Sequence, residues 1–241
     1  MDRLYEHETL DDLQWGGLRL IQNKKLFCFG TDAVLLAHFV RTRGEKVLCD
    51  LGCGNGIISV LLGGKNPQLT VYGLEIQPEL QDLAIRNVRL NGLDNVHIIR
   101  GDIRQASKLL PRATCVVANP PYDKPGTGIL PQNESQRIAR YELTVTFEEL
   151  AASAAKLLGD GGRFYLIHKA ARIEELLAQL SEKKLHAKEL RFIHPTKDKE
   201  ASLVLICAKK GGSAALRVQP PLVLYENGHY TPEVARIYQG E

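Results

Sequence analysis

From Lys46 onward, short apolar runs alternate with stretches in which apolar residues recur every three or four positions. The runs "KVLCDLG", "LTVYGLE", "VHIIRGD", "ATCVVANPPY" and "RFYLIHK" predict strands, since each is short, continuous or period-two, and rich in branched residues. Between them, "IISVLLGGK", "PELQDLAIRNVRLNG", "TFEELAASAAKLLGDGG" and "ARIEELLAQLSEK" carry the helical period. That alternation predicts an α/β fold built of βαβ units around a mostly parallel sheet. The rhythm breaks after "SEKK": "LHAKELRFIHP" and "KDKEASLVLICAKK" have no helix-length insert between them. Two strands joined so closely must pair antiparallel, which closes the sheet near Lys210.

Two flanking segments follow other rules. At the front, "LRLIQNKKLFCF" predicts a hairpin turning near Asn23, and "TDAVLLAHFVR" a helix capped by Thr31 or Asp32. At the back, "KKGGSAA" predicts a linker into "LVLYENGHYT", where Asn227-Gly228 marks a type I′ turn. The expected division is 1–43 for the front hairpin and helix, 44–210 for the main domain and 211–241 for the tail with its β-hairpin.

Composition narrows the class. With 241 residues, 44% hydrophobic and 24% charged, the chain can bury a full core, and disorder is not its default. It shows neither an apolar run of membrane-spanning length nor the basic and apolar regions of a signal peptide, so a cytoplasmic protein without membrane association is expected. The five cysteines sit mostly in apolar runs and are odd in number, which predicts reduced core residues. Cys49 and Cys53 bracket a glycine loop, but their spacing fits neither a zinc ribbon nor a redox pair, and no metal is expected. A net charge of +3 permits a polyanionic partner without requiring one.

The glycine loop "DLGCGNG" follows the first strand of the main domain and opens a helix. Gly52, Gly54 and Gly56 let the backbone turn tightly and let a ligand approach unhindered, although a tight strand-to-helix turn alone would use the same residues. Two acids add to the pattern. Glu75 ends the second strand, where a carboxylate can accept from both ribose hydroxyls, and Asp102 ends the third, within reach of an adenine amino group. The dinucleotide spacing G-x-G-x-x-G is absent. Asp50 precedes the loop, where its charge opposes a pyrophosphate and suits an ammonium or sulfonium cation. These electrostatics favour S-adenosylmethionine (SAM) over NAD.

In the stretch "CVVANPPYDKPGTG", a buried-type strand ends in Asn119, Pro120, Pro121 and Tyr122. A proline-rich turn is the plain explanation. However, "DLGCGNG", "GLE", "GD" and "NPPY" in this order resemble the class I SAM-dependent methyltransferases that modify planar amino nitrogens, over roughly Phe29 to Lys210. The resemblance implies a Rossmann-like methyltransferase fold with a seven-stranded, mostly parallel sheet and a C-terminal antiparallel strand pair. It also gives the motif a chemical purpose. An exocyclic adenine nitrogen is a poor nucleophile because its lone pair is delocalised into the ring. Two acceptors aimed at its N–H bonds draw it toward a tetrahedral form. The Asn119 side-chain oxygen and the Pro120 carbonyl are the two acceptors, and the prolines hold them in place. Tyr122 would stack on the base. Expected cofactor contacts are Asp50, Gly52, Gly54, Gly56, Glu75 with Ile76, Asp102 with Ile103, and Asn119. From "FCFGTDAVLLA", the resemblance adds Phe29, Gly30 and Thr31 as a lid over the methionine end, and a capped helix accounts for the same residues.

NPPY admits adenine in DNA, adenine or guanine in RNA, and a glutamine amide in protein. No helical substrate domain precedes the first strand of the main domain, and the irregular stretch Asp123 to Thr144 is too short for a target-recognition domain. A separate RNA-binding domain of the kind many guanine-N2 enzymes carry is absent too. An exposed RNA base remains. "LDDLQWGGLRLIQNKKLFCFGTDAVLLAHF", "HPTKDKEASLVLICAKKG" and "PPLVLYENGHYTPEVARIY" resemble the tRNA1(Val) (adenine37-N6)-methyltransferase family, although many members lack such a tail. The implied reaction is methylation of adenine N6 in tRNA beside the anticodon. Protein glutamine N5-methylation, guanine-N2 methylation of RNA and a non-catalytic RNA-binding subunit are the alternatives. Candidate phosphate contacts are Lys124, Arg137, Arg140, Lys183, Lys184, Lys188, Arg191, Lys197 and Lys199, whose interleaved acids also suit an ordinary solvated face. His194 reads as structural, and Trp15 and Tyr5 as packing residues that could also stack on a base.

Overall fold

A computed structural model describes residues 4–26, 30–122, 145–212 and 215–240. The chain opens with β1 (Glu8–Asp12), β2 (Arg19–Asn23) and α1 (Thr31–Phe39). The alternating region supplies β3 (Val47–Leu51), α2 (Ile57–Lys65), β4 (Thr70–Glu75), α3 (Pro78–Leu90), β5 (Val96–Arg100), α4 (Ala106–Leu109) and β6 (Ala113–Ala118). It continues through α5 (Phe147–Leu157), β7 (Leu158–Lys169), α6 (Ile173–Glu182), β8 (Leu185–His194) and β9 (Leu203–Lys210). The tail contributes β10 (Arg217–Val218), β11 (Leu222–Val223), β12 (Tyr225–Glu226), β13 (His229–Tyr230) and α7 (Pro232–Tyr238).

The main sheet runs β10-β8-β9-β7-β6-β3-β4-β5, parallel from β5 through β7 and antiparallel where β9 meets β7 and β8. Its seven long strands are those expected, and the tail raises the total to nine. β10 and β11 both pair with β8, so the tail covers a sheet edge that would otherwise expose unpaired backbone groups. Alternation along the strands divides the core between two faces. Leu48, Cys115 and Val117 pack with α1 and α2, whereas Cys49, Val116 and Ala118 pack with α5 and α6. Cys49, Cys53, Cys115 and Cys207 are buried free thiols. Cys28 lies outside the described residues.

The front hairpin that the structure describes pairs β2 with a strand the sequence did not announce. β2 pairs with the acidic strand β1, and the connection lies at Leu13–Leu18, where Gln14, Gly16 and Gly17 all have positive φ. The chain also turns after β2, where Leu26 N donates to Asn23 O at 2.9 Å, and residues 27–29 of the strand expected to return from that turn lie outside the described residues. The acidic "ETLDD" concealed β1, which sits outside the main sheet, while Trp15 in the connection is buried. The α1 cap is Gly30, and neither Thr31 nor Asp32 serves: Thr31 is already helical, and Asp32 accepts from its own neighbour Ala33 N at 2.9 Å. Asn227 and Gly228 do form the two-residue turn of the β12-β13 hairpin, both with positive φ.

Candidate active site

The carboxyl ends of β3, β4, β5 and β6 share one edge of the sheet. Strand order reverses between β3 and β6, and such a switch point opens a crevice for a ligand. A small cleft lies there, lined by Leu51, Gly52, Ile103, Asn119, Pro120 and Phe147.

The glycine loop closes one side. Gly52, Gly54 and Gly56 adopt φ of +74°, +58° and +83°, values that disfavour any residue with a Cβ. Gly56 is further constrained by contact, because a Cβ there would meet the Ala84 Cβ on α3 at 3.1 Å. The loop is moored to β4 through Gly52 N and Cys53 N, which donate to Leu74 O at 2.8 and 3.1 Å. Glu75 completes the mooring: one carboxylate oxygen accepts from Gly54 N (2.9 Å), the other from Ile76 N (3.0 Å) and Gln77 N (2.9 Å). Burial raises the Glu75 acid above the usual carboxylate range against the opposing pull of those N–H groups. Next to it, the Ile76 side chain is exposed at 38%.

Asp50 is fully buried. Ser59 Oγ donates to one of its oxygens at 2.7 Å, and the other oxygen has no hydrogen-bond partner among the described residues. Burial first, and then the negative charge of Glu75, push this acid up to about 7 despite the Ser59 bond. Asp102 stands in contrast. Arg104 forks onto its carboxylate, with Nε 3.0 Å from both oxygens, and that bonding lowers its pKa. Ile103 reaches the cleft, 3.6 Å from where a Cβ on Gly52 would sit.

On the other side, β6 delivers Asn119, Pro120, Pro121 and Tyr122. Asn119 Nδ2 donates to Asp32 Oδ2 at 3.1 Å, and the Tyr122 hydroxyl lies 2.5 Å from that oxygen and 2.7 Å from Asn119 Oδ1. Tyr122 is thus folded against its neighbours, with its ring 5.3 Å from His168 and its carbonyl accepting from Arg172 at 3.2 Å. Burial and the adjacent Asp32 raise its phenol well above the ordinary value.

Asp32 escaped the sequence reading, which cast it as a helix cap. It sits 87 residues from Asn119, so only the tertiary fold joins them. Asn87 was missed in the same way. Its amide oxygen accepts from Ile21 N (2.6 Å), and its amide nitrogen donates to Ile21 O (3.0 Å) and Asn55 O (2.9 Å), tying the front hairpin to the glycine loop.

Of the remaining candidates, Gly30 begins α1, and the Thr31 hydroxyl faces the tail, 3.2 Å from the Tyr230 hydroxyl and 3.1 Å from that of Tyr238. Phe29, Lys124, Arg137 and Arg140 lie outside the described residues. Lys183 and Arg191 form ion pairs with Glu148 (2.8 Å) and Glu233 (2.6 Å). His194 Nδ1 lies 2.8 Å from Lys199 O within its turn. Trp15 is buried under Lys65, and Tyr5 lies against Arg86. Among the described residues, no cluster of His, Cys, Asp and Glu suits a metal ion, and no helix is long and apolar enough to cross a membrane.

Residues 23–192 match the methyltransferase small domain family model. The tRNA1(Val) (adenine(37)-N6)-methyltransferase of Dickeya chrysanthemi is 30% identical over 78% of this chain and 74% of its own length. The Proteus mirabilis protein of the same name is 27% identical over 85% of this chain and 82% of its own. Among solved structures, a predicted O-methyltransferase from Agrobacterium tumefaciens aligns with a TM-score of 0.70 at 25% identity, over 87% of this chain and 96% of that one.

Proposed function

The chain belongs to the methyltransferase small domain family of SAM-dependent enzymes, and on that footing we propose that it methylates N6 of an adenine in tRNA, at position 37 beside the anticodon. The observation that carries this reading is the Asn119 amide, oriented by Asp32 at the cleft wall. With its nitrogen donating to a carboxylate, its oxygen is left as the acceptor, the polarity an amino substrate needs.

The residues fit the cofactor. A buried Asp50 oxygen without a partner among the described residues, beside a loop of backbone turns, suits a cationic ligand, and a pyrophosphate would be repelled by Asp50 and Glu75. Asp50, the glycine loop and Glu75 would hold the cofactor, with Ile76 and Ile103 offering apolar contacts to its base. When bound, it would supply an electrophilic methyl group, whose bond to sulfur would break as the bond to nitrogen forms, leaving a neutral thioether.

This chain's own residues then work by position. The adenine amino group gives one N–H to Asn119 Oδ1, which leaves the single Tyr122 proton to Asp32, and its second N–H to the Pro120 carbonyl. Orientation of this kind lowers a barrier by roughly 7–11 kcal/mol. As the N–C bond forms, the nitrogen becomes cationic and acidic, and its proton leaves to water without a general base. Such an enzyme works in the cytoplasm with tRNA.

The test is incubation of the full chain with SAM and unmodified bulk tRNA, followed by digestion and nucleoside mass spectrometry. N6-methyladenosine is expected, mapping to position 37. Methyl transfer to protein, or none to RNA from a chain that binds the cofactor, would overturn the reading.

A further inference from the structure

The tail places three tyrosines in a column. Tyr225 and Tyr230, opposed across the β12-β13 pair, stack with centroids 5.0 Å apart and planes 18° from parallel. Tyr230 stacks in turn on Tyr238 of α7, at 5.2 Å and 23°. Stabilising a small hairpin explains the first contact, and docking α7 explains the second. Neither uses the outer face of Tyr225, which has no ring partner among the described residues, and the side chains of Tyr225 and Tyr230 remain about 40% exposed.

The column is anchored next to the catalytic asparagine. The Tyr230 and Tyr238 hydroxyls both meet Thr31 Oγ1, and the next residue, Asp32, binds Asn119 and Tyr122. Tyr225 N also donates to Pro195 O at 2.9 Å, which brings the Lys197–Lys199 turn to the same place. Flat, amphipathic rings beside a site that needs a base out of its stack are what single-stranded RNA uses.

We propose that Tyr225 caps this column as a stacking platform for an unpaired RNA base flanking the target adenine. The proposal rests on the tRNA reading above. Because Asp198 and Glu200 interleave with the lysines, affinity here comes from stacking more than from phosphate contacts.

The experiment compares wild type, Tyr225→Ala and Tyr225→Trp in the full chain, using an unmodified anticodon stem-loop RNA and fluorescence anisotropy at several salt concentrations. Tyr225→Ala is expected to weaken RNA binding about 5- to 150-fold, equivalent to about 1–3 kcal/mol per stacked base. Affinity for SAM and the salt slope should stay as in wild type, which a general loss of structure would not allow. Tyr225→Trp should keep RNA affinity, and its emission should be quenched by the RNA. Unchanged affinity in Tyr225→Ala, emission in Tyr225→Trp indifferent to saturating RNA, or wild type that binds no stem-loop would each overturn the platform. So would a Tyr225→Ala chain that only loses self-association in sedimentation, since the face would then belong to a second copy. Nucleoside analysis of wild type tests the methylation reading separately, so the two can fail independently.

Discussion

Replacing Asp50 by Asn should make the cofactor-free protein more stable while weakening its hold on SAM. Asp50 is fully buried, satisfied on one oxygen only among the described residues, and held near 7 where an ordinary Asp has 3.8. A folded-state pKa above the unfolded one means that stability is greatest below the unfolded value and is lost as pH rises through the folded value. Applied to Asp50, linkage gives a cost to folding of roughly 1.7 kcal/mol at pH 5, growing to roughly 4 kcal/mol at pH 8. Asn keeps an oxygen for Ser59 and carries no charge, but its amide N–H groups need acceptors, which takes back about 1–3 kcal/mol.

Asp50→Asn should therefore melt at about the wild-type temperature near pH 5 and several degrees above it at pH 8, since about 1 kcal/mol moves a chain of this size by about 2–4 °C. Differential scanning calorimetry across that range, without cofactor, reads the divergence. The cationic cofactor should reverse the order. Titration calorimetry should find that wild type binds SAM more tightly as pH rises from 6 to 8, and that the variant binds weakly with little pH dependence. Melting curves that stay parallel across the whole range, with unchanged cofactor affinity in the variant, would refute the assignment of Asp50 as a buried charge waiting for a cation.

Three other substitutions probe the rest of the site. Asn119→Ala should abolish methyl transfer while cofactor affinity measured by calorimetry stays near wild type; retained turnover would remove Asn119 from the chemistry. Asp32→Ala should lower kcat about 10- to 1000-fold with little change in KM for RNA, because Asn119 would be free to turn its NH2 toward the substrate, and Asp32→Glu should recover less than full activity. Asn87→Ala should destabilise the chain by about 2–5 kcal/mol in urea, because it removes three bonds and leaves buried backbone groups of Ile21 and Asn55 unpaired. A smaller cost would mean that the hairpin and the glycine loop are tied elsewhere.

The long helices and strands of the main domain could be read from the chain because each is set by local periodicity, whereas the four-residue α4 is too short to show a period; the glycine loop was legible because its positive φ values demand glycine. β1 could not, since an acidic strand outside the main sheet carries no apolar alternation, and its Gly16-Gly17 connection was outweighed by the polar "QNKK" further on. Asp32 and Asn87 share a deeper reason. Each acts on a residue that another element brings near, 87 positions away for Asp32 and 66 for Asn87. A capping position and a polar residue in the middle of a helix look ordinary until the partner arrives. The tail hairpin turn was legible from Asn227-Gly228, but not the edge of β8 that β10 and β11 cover, because pairing between distant strands leaves no mark in local sequence.

The two halves of the site meet their ligands from different starting points. On the acceptor side, the single Tyr122 hydroxyl proton is shared between Asp32 Oδ2 at 2.5 Å and Asn119 Oδ1 at 2.7 Å, and Asp32 also receives Asn119 Nδ2. A substrate amino group that binds Asn119 Oδ1 must displace that shared proton toward Asp32, and the net gain from the exchange is small. The proposed cofactor side begins with a buried carboxylate oxygen that has no partner among the described residues, and every favourable contact made there would be gained outright. Affinity for the cofactor can thus be high in the resting enzyme, whereas the base needs help from contacts beyond the catalytic pair. A purine presented alone has no such contacts. A tRNA loop does, and a flanking base on Tyr225 would contribute binding energy without touching the reacting nitrogen, which is how remote contacts come to serve transfer at the centre.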